Sequence, residues 1–306
     1  MAKILPLIVL VLAGYSAAVP YFEGGDSHVN HWLFWELWLP RTLVAIGAGA
    51  ALGLSGAIFQ SLTKNPLGSP DIIGINAGAS VGAIAVSLIW VNSLPIAAGA
   101  MMGALIVLLL ILLTLRITGT FGMQMIVAGI AINAFALALV QFALTGVRQE
   151  DAYQISIWLS GSLAQLTWQV VIAIGSAIPI FGLALWALKR SLIVMRLGDH
   201  TAQVLGVCVS KVTLMSLIFA TLLATFAVVS AGPITFLALV APHITYKLFK
   251  QPLLLLPTAM VGSILLLSAD LLARALPKGS SLPVGVVTSA LGGIYLLVLL
   301  LKAWKR

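Results

Sequence analysis

The stretch from Gly47 to Ser80, GAGAALGLSGAIFQSLTKNPLGSPDIIGINAGAS, decides the fold of this chain. An uncharged run of Gly, Ala, Ser and Leu stops at Lys64, turns through a short polar segment, and resumes as a second run rich in Gly and Ala. This pattern predicts two membrane-spanning helices joined by a short polar connection. Small residues recur at four-residue steps, which lets helix backbones approach closely inside lipid; they are Gly49 and Gly53 in the first run and Gly74, Gly78 and Gly82 in the second.

Other residues of this stretch, and of a similar stretch at residues 230–243, are predicted to pack helices together or to form turns. In the first stretch these are Ser55, Gly56, Asn65 and Pro66. The order Ser230-Ala231-Gly232 before Ala241-Pro242-His243 is similar to the order Ser55-Gly56-Ala57 before Asn65-Pro66. Two halves of a transporter that enter the membrane from opposite sides would show such a repeat. The corresponding later positions are Gly232, Pro233, Pro242 and His243, with His243 expected to be a satisfied structural residue at the start of a span.

The composition of the chain excludes a water-soluble globular protein. Of its 306 residues 61% are hydrophobic and 8% are charged, and its mean hydropathy is +1.15, so its apolar surface exceeds what one soluble core could bury. We predict an all-α polytopic membrane protein with about ten spans of about 20 residues each, in a single transmembrane domain over residues 1–306. The predicted spans are 4–22, 40–63, 72–91, 94–115, 123–145, 170–188, 211–230, 233–249, 252–273 and 283–301.

The positive charges lie mostly on one side of this predicted topology. The net charge of +8 could indicate nucleic-acid binding, but the basic residues are scattered at span ends, so no nucleic-acid partner is expected. An excess of Lys and Arg marks the cytoplasmic side, which places both termini in the cytoplasm. Residues 1–19 could instead be a signal peptide, but the charge alternation needs a first span. The basic residues on the cytoplasmic side are Lys3, Lys64, Arg116, Lys189, Arg190, Arg196, Lys211, Lys247, Lys250, Lys302, Lys305 and Arg306; those outside are Arg41, Arg148, Arg274 and Lys278.

Two polar loops are longer than a turn. The outer loop, residues 146–169, is predicted to contain a short helix that lies on the membrane surface. The inner loop, residues 189–211, is predicted to contain a short amphipathic helix that Asp199 caps and Gly206 ends. A solvated loop without a helix is the alternative for the inner segment.

Reactive groups are scarce in the spans. Asp270 precedes Arg274 by four residues, which favours a structural ion pair over an ion relay. The chain has no Lys directly after a Gly and therefore no P-loop for ATP. The histidines are isolated, and the lone Cys208 excludes an internal disulfide and a multi-cysteine metal site. We therefore predict a protein that is not itself an enzyme, with no catalytic residue, metal site or cofactor of its own.

A set of motifs resembles the permease subunits of bacterial ABC importers for ferric siderophores, haem and vitamin B12. The resemblance runs from about residue 39 to the C-terminus. It is carried by Leu39-Pro40-Arg41-Thr42, Gly49 to Gln60, Asn65 to Asp71, Leu197-Gly198-Asp199 to Leu205-Gly206-Val207, Gly232 to Phe236, Ala241-Pro242-His243-Ile244 and Leu282 to Thr288. The Asn-Pro-Leu-Gly-Ser-Pro-Asp form at 65–71, with Gly292-Gly293-Ile294-Tyr295, looks most like enterobactin-type permeases for ferric catecholates.

This resemblance implies an assembly in the bacterial inner membrane. Its expected members are a second permease, a paralogue in the enterobactin type, two ATPase subunits that bind ATP and Mg, and a periplasmic binding protein that delivers the ferric siderophore. Residues implied to couple to the ATPase are Arg196, Leu197, Gly198, Asp199, Ala202, Leu205 and Gly206. Arg41 and Arg274 match outer arginines that dock the binding protein, whereas Trp38 stands where the family has a third arginine, whose role Arg148 could take.

Several other functions remain as alternatives. The cargo could be haem or vitamin B12 instead of a siderophore. A gated channel would need a polar pore lining, and an intramembrane enzyme would need converging reactive groups; the spans show neither. A passive membrane scaffold is the remaining alternative on composition alone.

Overall fold

A computed structural model describes residues 4–22, 31–89, 94–118, 123–146, 149–164, 166–275 and 282–304. Within these ranges all regular structure is helical. The α-helices are α1 (Ile4–Phe22), α2 (Leu39–Thr63), α3 (Ile75–Ile89), α4 (Ile96–Thr118), α5 (Met123–Thr145), α6 (Gln149–Leu159), α7 (Trp168–Met195), α8 (Asp199–Val204), α9 (Val209–Ala231), α10 (Leu237–Phe249), α11 (Leu255–Ala275) and α12 (Val284–Trp304). A π-helical turn, Phe34–Trp38, leads directly into α2.

The helices confirm the all-α membrane architecture. In the described ranges, six are long and apolar enough to cross a membrane, and shorter apolar helices cover 4–18, 75–89, 237–249 and 284–299. Each predicted span therefore has its helix. Three of them start three or four residues later than predicted, because each follows an irregular segment that contains Pro: α3 begins at Ile75, α10 at Leu237 and α11 at Leu255.

The predicted inner loop is shorter than expected. Helix α7 continues to Met195, so residues 189–195 are helical and not part of a loop. The reason is local, since no Gly or Pro interrupts the chain between Gly182 and Gly198. The outer loop contains α6, which confirms the predicted short helix.

Helix α2 forms the centre of the bundle and is buried along most of its length. It packs against α7, α9, α10 and α11. A Cβ atom at Gly53 would lie 2.6 Å from the carbonyl oxygen of Thr258 in α11, and Gly49 approaches the backbone of Gly262 as closely. Close backbone contact through small residues is the usual way membrane helices pack, because lipid gives no hydrophobic drive for helices to associate.

Helices α3 and α4 form a second close pair. Gly78 and Gly82 of α3 face Gly99 and Gly103 of α4, and an added Cβ at any of these glycines would overlap the opposite helix. By contrast, α4, α5, α7 and α12 display many exposed apolar side chains, among them Ile117, Phe142, Leu183 and Ile294. These surfaces face lipid or another membrane subunit.

Candidate functional site

A buried ion cluster joins α2 and α11 at the end of the bundle where α2 begins. Asp270 of α11 has no exposed surface, and its Oδ1 accepts hydrogen bonds from Arg41 Nη2 at 2.7 Å and Arg41 Nε at 3.0 Å. Its Oδ2 accepts a bond from Arg274 Nη2. The predicted pair of Asp270 and Arg274 is therefore confirmed, and Arg41, which lies 229 residues away, is an additional member.

The cluster also reaches α1 and the π-helical turn. Arg274 donates hydrogen bonds to the Ser16 hydroxyl at 3.2 Å and to the Ser16 carbonyl oxygen at 3.3 Å. The ring centroid of Trp38 lies 4.7 Å from the Arg274 guanidinium carbon, which is within the range of a cation–π contact. Two arginines against one carboxylate leave an excess of one positive charge. Only 15% of the Arg41 side chain and 12% of the Arg274 side chain are exposed.

The two predicted docking arginines are thus brought together, but both are bound to Asp270. Trp38, which stands where the resemblance implies a third arginine, stacks on the Arg274 guanidinium. Trp32 and Trp35 precede the cluster and are exposed, as aromatic side chains at a membrane interface are. Arg148 lies outside the described residues.

The opposite end of the bundle carries the element predicted to couple to an ATPase. Gly198, with φ of +113°, is the N-cap of α8 and no side chain caps this helix, so the prediction that Asp199 caps it is wrong. Asp199 is the first helical residue, and its carboxylate accepts a bond from Lys64 Nζ at 2.9 Å. An exposed pair of this kind contributes little to stability.

Gly206 ends α8 as predicted. Its φ is +83°, its N–H donates to the Gln203 carbonyl oxygen at 3.0 Å, and the Val207 N–H donates to the Ala202 carbonyl oxygen at 2.9 Å. This pair of bonds is the Schellman motif, which favours Gly because other residues rarely adopt a positive φ. The inner segment is therefore a defined helix and turn, not a solvated loop.

Three apolar side chains of this element are exposed, among polar side chains that are also exposed. Ala202 is fully buried, whereas Leu197, Val204 and Leu205 are 69%, 75% and 60% exposed. Arg196, at the end of α7, is exposed and has no ion-pair partner among the described residues. Apolar side chains that project from a polar end of a membrane protein are suited to a contact with another protein.

Asp71 lies where two short helices begin, and the sequence interpretation gave it no role. Its Oδ1 accepts a bond from Asn76 Nδ2 of α3 at 2.8 Å, and its carboxylate interacts with the backbone of Phe236, the residue before α10. Gly74, with φ of +88°, packs against Asn133 near the midpoint of α5. Both helices therefore start inside the bundle, with a carboxylate at their positive N-terminal ends.

His243 does not meet the expectation of a satisfied structural residue. It lies within α10 rather than at its start, and its Nδ1 is buried without a hydrogen-bond partner in the described part of the chain. Its ring meets Tyr295 of α12 edge-on, with 5.7 Å between centroids. The aromatic neighbour across the helix pair supplies a packing surface where a polar partner was expected. Pro242 beside it is buried in α10.

The other predicted packing and turn residues lie at close crossings or turns. Gly56 meets the backbone of Ala238, where α2 crosses α10, and Ser55 is fully buried beside it. Gly232 has a φ of +73° and, with Pro233, faces Gly161 in the segment after α6. Asn65 accepts the Leu67 N–H at 2.9 Å and Pro66 follows it in the turn after α2. No group of three His, Cys, Asp or Glu residues that could hold a metal ion occurs in the searched, described ranges.

Comparison of the sequence with known proteins identifies one family. The sequence profile of the FecCD transport family matches residues 4–302. The chain belongs to the FecCD transport family. Among curated FecCD relatives, the ferric enterobactin transport system permease protein FepG of Escherichia coli is 41% identical over 88% of this chain and 82% of its own length.

Other relatives import different cargoes. The hemin transport system permease protein HmuU of Yersinia pestis is 38% identical over 88% of this chain and 84% of its own length. The vitamin B12 import system permease protein BtuC of Salmonella typhi is 34% identical over 98% and 94%. A solved metal-chelate type ABC transporter in an inward-facing conformation covers 99% of this chain and 100% of its own, with a TM-score of 0.89 at 24% identity, which supports the fold. This FecCD family member is a multi-pass membrane permease.

Proposed function

We propose that this permease is the transmembrane subunit of an ATP-driven ABC importer that moves a ferric siderophore, a catecholate of the enterobactin type, from periplasm to cytoplasm. The observation that supports this cargo is the 41% identity to a ferric enterobactin permease. Haem and vitamin B12 are the alternative cargoes, since relatives that import them are 38% and 34% identical.

The proposed energy source is a partner ATPase that binds ATP and Mg. The exposed apolar side chains of Leu197, Val204 and Leu205, next to the exposed cation of Arg196, form the proposed contact with that ATPase. The rest of the proposed coupling segment, Gly198, Asp199, Ala202 and Gly206, shapes this surface through the cap and the Schellman turn. The helix α8 is short, ends in the Schellman turn and contacts α7. A displacement of α8 by the ATPase would therefore move α7.

The other proposed partners are a paralogous permease and a periplasmic binding protein. Exposed apolar faces of α5 and α12 give a membrane-embedded surface for the second permease. The excess positive charge of the cluster of Arg41, Asp270 and Arg274 favours acidic groups of a binding protein, and such charges mainly increase the association rate. The side rich in Lys and Arg, which also carries both termini in the predicted topology, is proposed to face the cytoplasm.

Affinity purification of the tagged chain from iron-starved cells in mild detergent tests this assembly. We expect an ATPase and a second, related permease in stoichiometric amounts, identified by mass. An ATPase with no other permease would indicate a homodimer and shift the proposal to haem or vitamin B12. Recovery without any ATPase would contradict the importer function.

The cargo is tested separately by uptake. Cells that lack the chain should lose uptake of ferric enterobactin and regain it with the wild-type gene, while uptake of haem and vitamin B12 stays unchanged. Loss of haem or vitamin B12 uptake alone would contradict the catecholate assignment.

A further inference from the structure

A cleft opens at the end of the bundle that carries most of the basic residues, opposite the cluster of Arg41, Asp270 and Arg274. Its volume is about 670 Å³, and its walls come from the ends of α2, α4 and α7, from α8, and from the start of α9. It lies beside the proposed ATPase contact: Asp199 of the coupling segment lines it, but the exposed Leu197 and Leu205 do not. The cleft is therefore a separate feature of the surface.

The walls of this cleft are continuous with the apolar outside of the bundle. Leu109 and Leu113 of α4 are 55% and 45% exposed, and Leu214 of α9 is 38% exposed. The deeper wall is formed by Leu192 of α7, which is buried. Exposed leucines on a membrane-spanning helix face the hydrocarbon of the bilayer, so an acyl chain can enter the cleft sideways without leaving the membrane.

The mouth of the cleft is basic. Arg116, at the end of α4, is exposed and has no ion-pair partner among the described residues. Lys64 also lines the cleft, and its only described partner is the exposed carboxylate of Asp199, a contact that a stronger anion can displace. Ser210 and Thr213 add hydroxyl groups to the same lining. Apolar walls below two cations match the two parts of an anionic lipid.

We propose that this cleft binds an anionic phospholipid of the adjacent leaflet. One acyl chain lies along the α4 leucines, and the headgroup phosphate lies between Arg116 and Lys64. Charge complementarity selects the anionic lipid over a zwitterionic one, because the surface of the cytoplasmic leaflet is negative and basic pockets between membrane helices collect such headgroups. A phosphate that binds Lys64 competes with the Asp199 carboxylate, so a bound lipid would release Lys64 from the first residue of α8. This site requires the membrane residence of the chain and is independent of the proposed cargo.

Native mass spectrometry of the full-length chain, with the subunits that co-purify, tests this site. The protein is released from mixed micelles that contain phosphatidylglycerol or phosphatidylcholine at equal concentrations. We expect wild-type protein to retain phosphatidylglycerol in preference, and Arg116→Gln to weaken the apparent phosphatidylglycerol affinity about fivefold. Arg116→Lys should restore most of the affinity, because it restores the charge.

The matched control is Arg190→Gln, which removes an exposed positive charge from the same end of the bundle but outside the cleft. Its phosphatidylglycerol affinity should equal that of the wild type. Equal retention of the two lipids by wild-type protein would overturn the proposal, as would an equal loss in Arg190→Gln and Arg116→Gln. Displacement of the lipid by millimolar inorganic phosphate would also overturn it, since that would indicate an anion site to which the acyl chain adds nothing. Unchanged melting temperatures of both variants exclude misfolding as the cause of a loss.

Discussion

At the residue scale, Arg41 and Arg274 both pair with Asp270, so neither is an unpaired surface group. A residue that only docks a partner would be exposed, but these guanidinium groups are mostly buried and neutralise a carboxylate with no exposed surface. Each therefore has a structural role in the permease itself. Any docking role uses the excess charge of the cluster, not a free side chain.

Asp270→Asn should destabilise the protein strongly. It leaves two largely buried arginines without a counter-ion, and loss of one partner of a buried ion pair costs about 3–5 kcal/mol. Thermal unfolding in detergent measures the effect. The control is Asp199→Asn, which removes the same charge from an exposed pair and should leave the melting temperature nearly unchanged. Equal melting temperatures for Asp270→Asn and wild type would contradict the structural role.

Arg41→Gln should slow the association of a loaded binding protein. Arg274 still neutralises Asp270 in this variant, but the cluster loses its excess positive charge. We expect an association rate about tenfold lower at low salt, with the difference shrinking at high salt because screening weakens steering. Surface plasmon resonance with the immobilised assembly measures it, with Arg190→Gln at the other end as control. An unchanged rate at low salt would remove Arg41 from docking.

At the element scale, α8 and the helix crossings have different requirements. Helix α8 has only six residues, too few to be stable alone, and it depends on a positive-φ glycine at each end and on the burial of Ala202. The crossings of α2 depend instead on the absence of side chains at glycine positions. We therefore expect substitutions on the exposed side of α8 to affect the proposed ATPase contact, and substitutions at the helix crossings to affect stability.

Leu205→Asp should uncouple the permease from its ATPase without unfolding it. Leu205 is 60% exposed, so its replacement removes little buried surface from the chain but places a charge in an apolar contact. Co-purification of the ATPase and its cargo-stimulated turnover should both fall at least tenfold. Leu94→Asp, at a 43% exposed leucine near the opposite end of the bundle, is the matched control. Normal turnover in Leu205→Asp would exclude this contact.

Gly56→Ala should destabilise the bundle. Its new Cβ would overlap the backbone of Ala238, and helices that must separate to fit a methyl group lose about 1–3 kcal/mol or more. Gly175→Ala in α7 is the control, because nothing lies within 4 Å of its new Cβ and Ala favours a helix over Gly. Melting temperatures should fall for Gly56→Ala and stay equal or rise for Gly175→Ala. The reverse order would refute the packing argument.

At the scale of the whole molecule, Asp71 connects segments that are far apart in sequence. The segment after α2 and the segment after α9 enter the bundle from opposite ends, and their helices α3 and α10 begin near one carboxylate. Opposed short helices with inward N-termini are a recurrent plan in transporters. The weak similarity between the two sequence stretches therefore has a counterpart in the structure.

Asp71→Leu should loosen this connection. It leaves the Asn76 amide without its acceptor and removes the contact with Phe236, which costs about 1–3 kcal/mol for each polar group left unpaired in the interior. Asp71→Asn keeps an acceptor oxygen and should lose much less. Thermal unfolding of the two variants compares them directly. Equal stability of Asp71→Leu and wild type would show that the carboxylate does not hold these helices.

Much of this protein could be predicted from local properties of the chain. Apolar segment length and the positions of Gly, Pro and Lys predict the helices, their order, the turn at Lys64 and the end of α8 at Gly206, because each depends on neighbouring residues. The pair of Asp270 and Arg274 was predictable for the same reason, since helical spacing alone brings them together. The length of α7 was not, since polar residues near Lys189 resemble a loop while the helix continues.

Contacts between residues distant in sequence determine the features that could not be predicted. Arg41 reaches Asp270 across 229 positions, His243 faces an aromatic ring and not a polar partner, and Asp71 joins the starts of two helices. The cleft beside α8 likewise depends on residues from five helices that are distant in sequence. Such features depend on which faces pack together, and a helix shows the same sequence pattern whichever neighbour it meets.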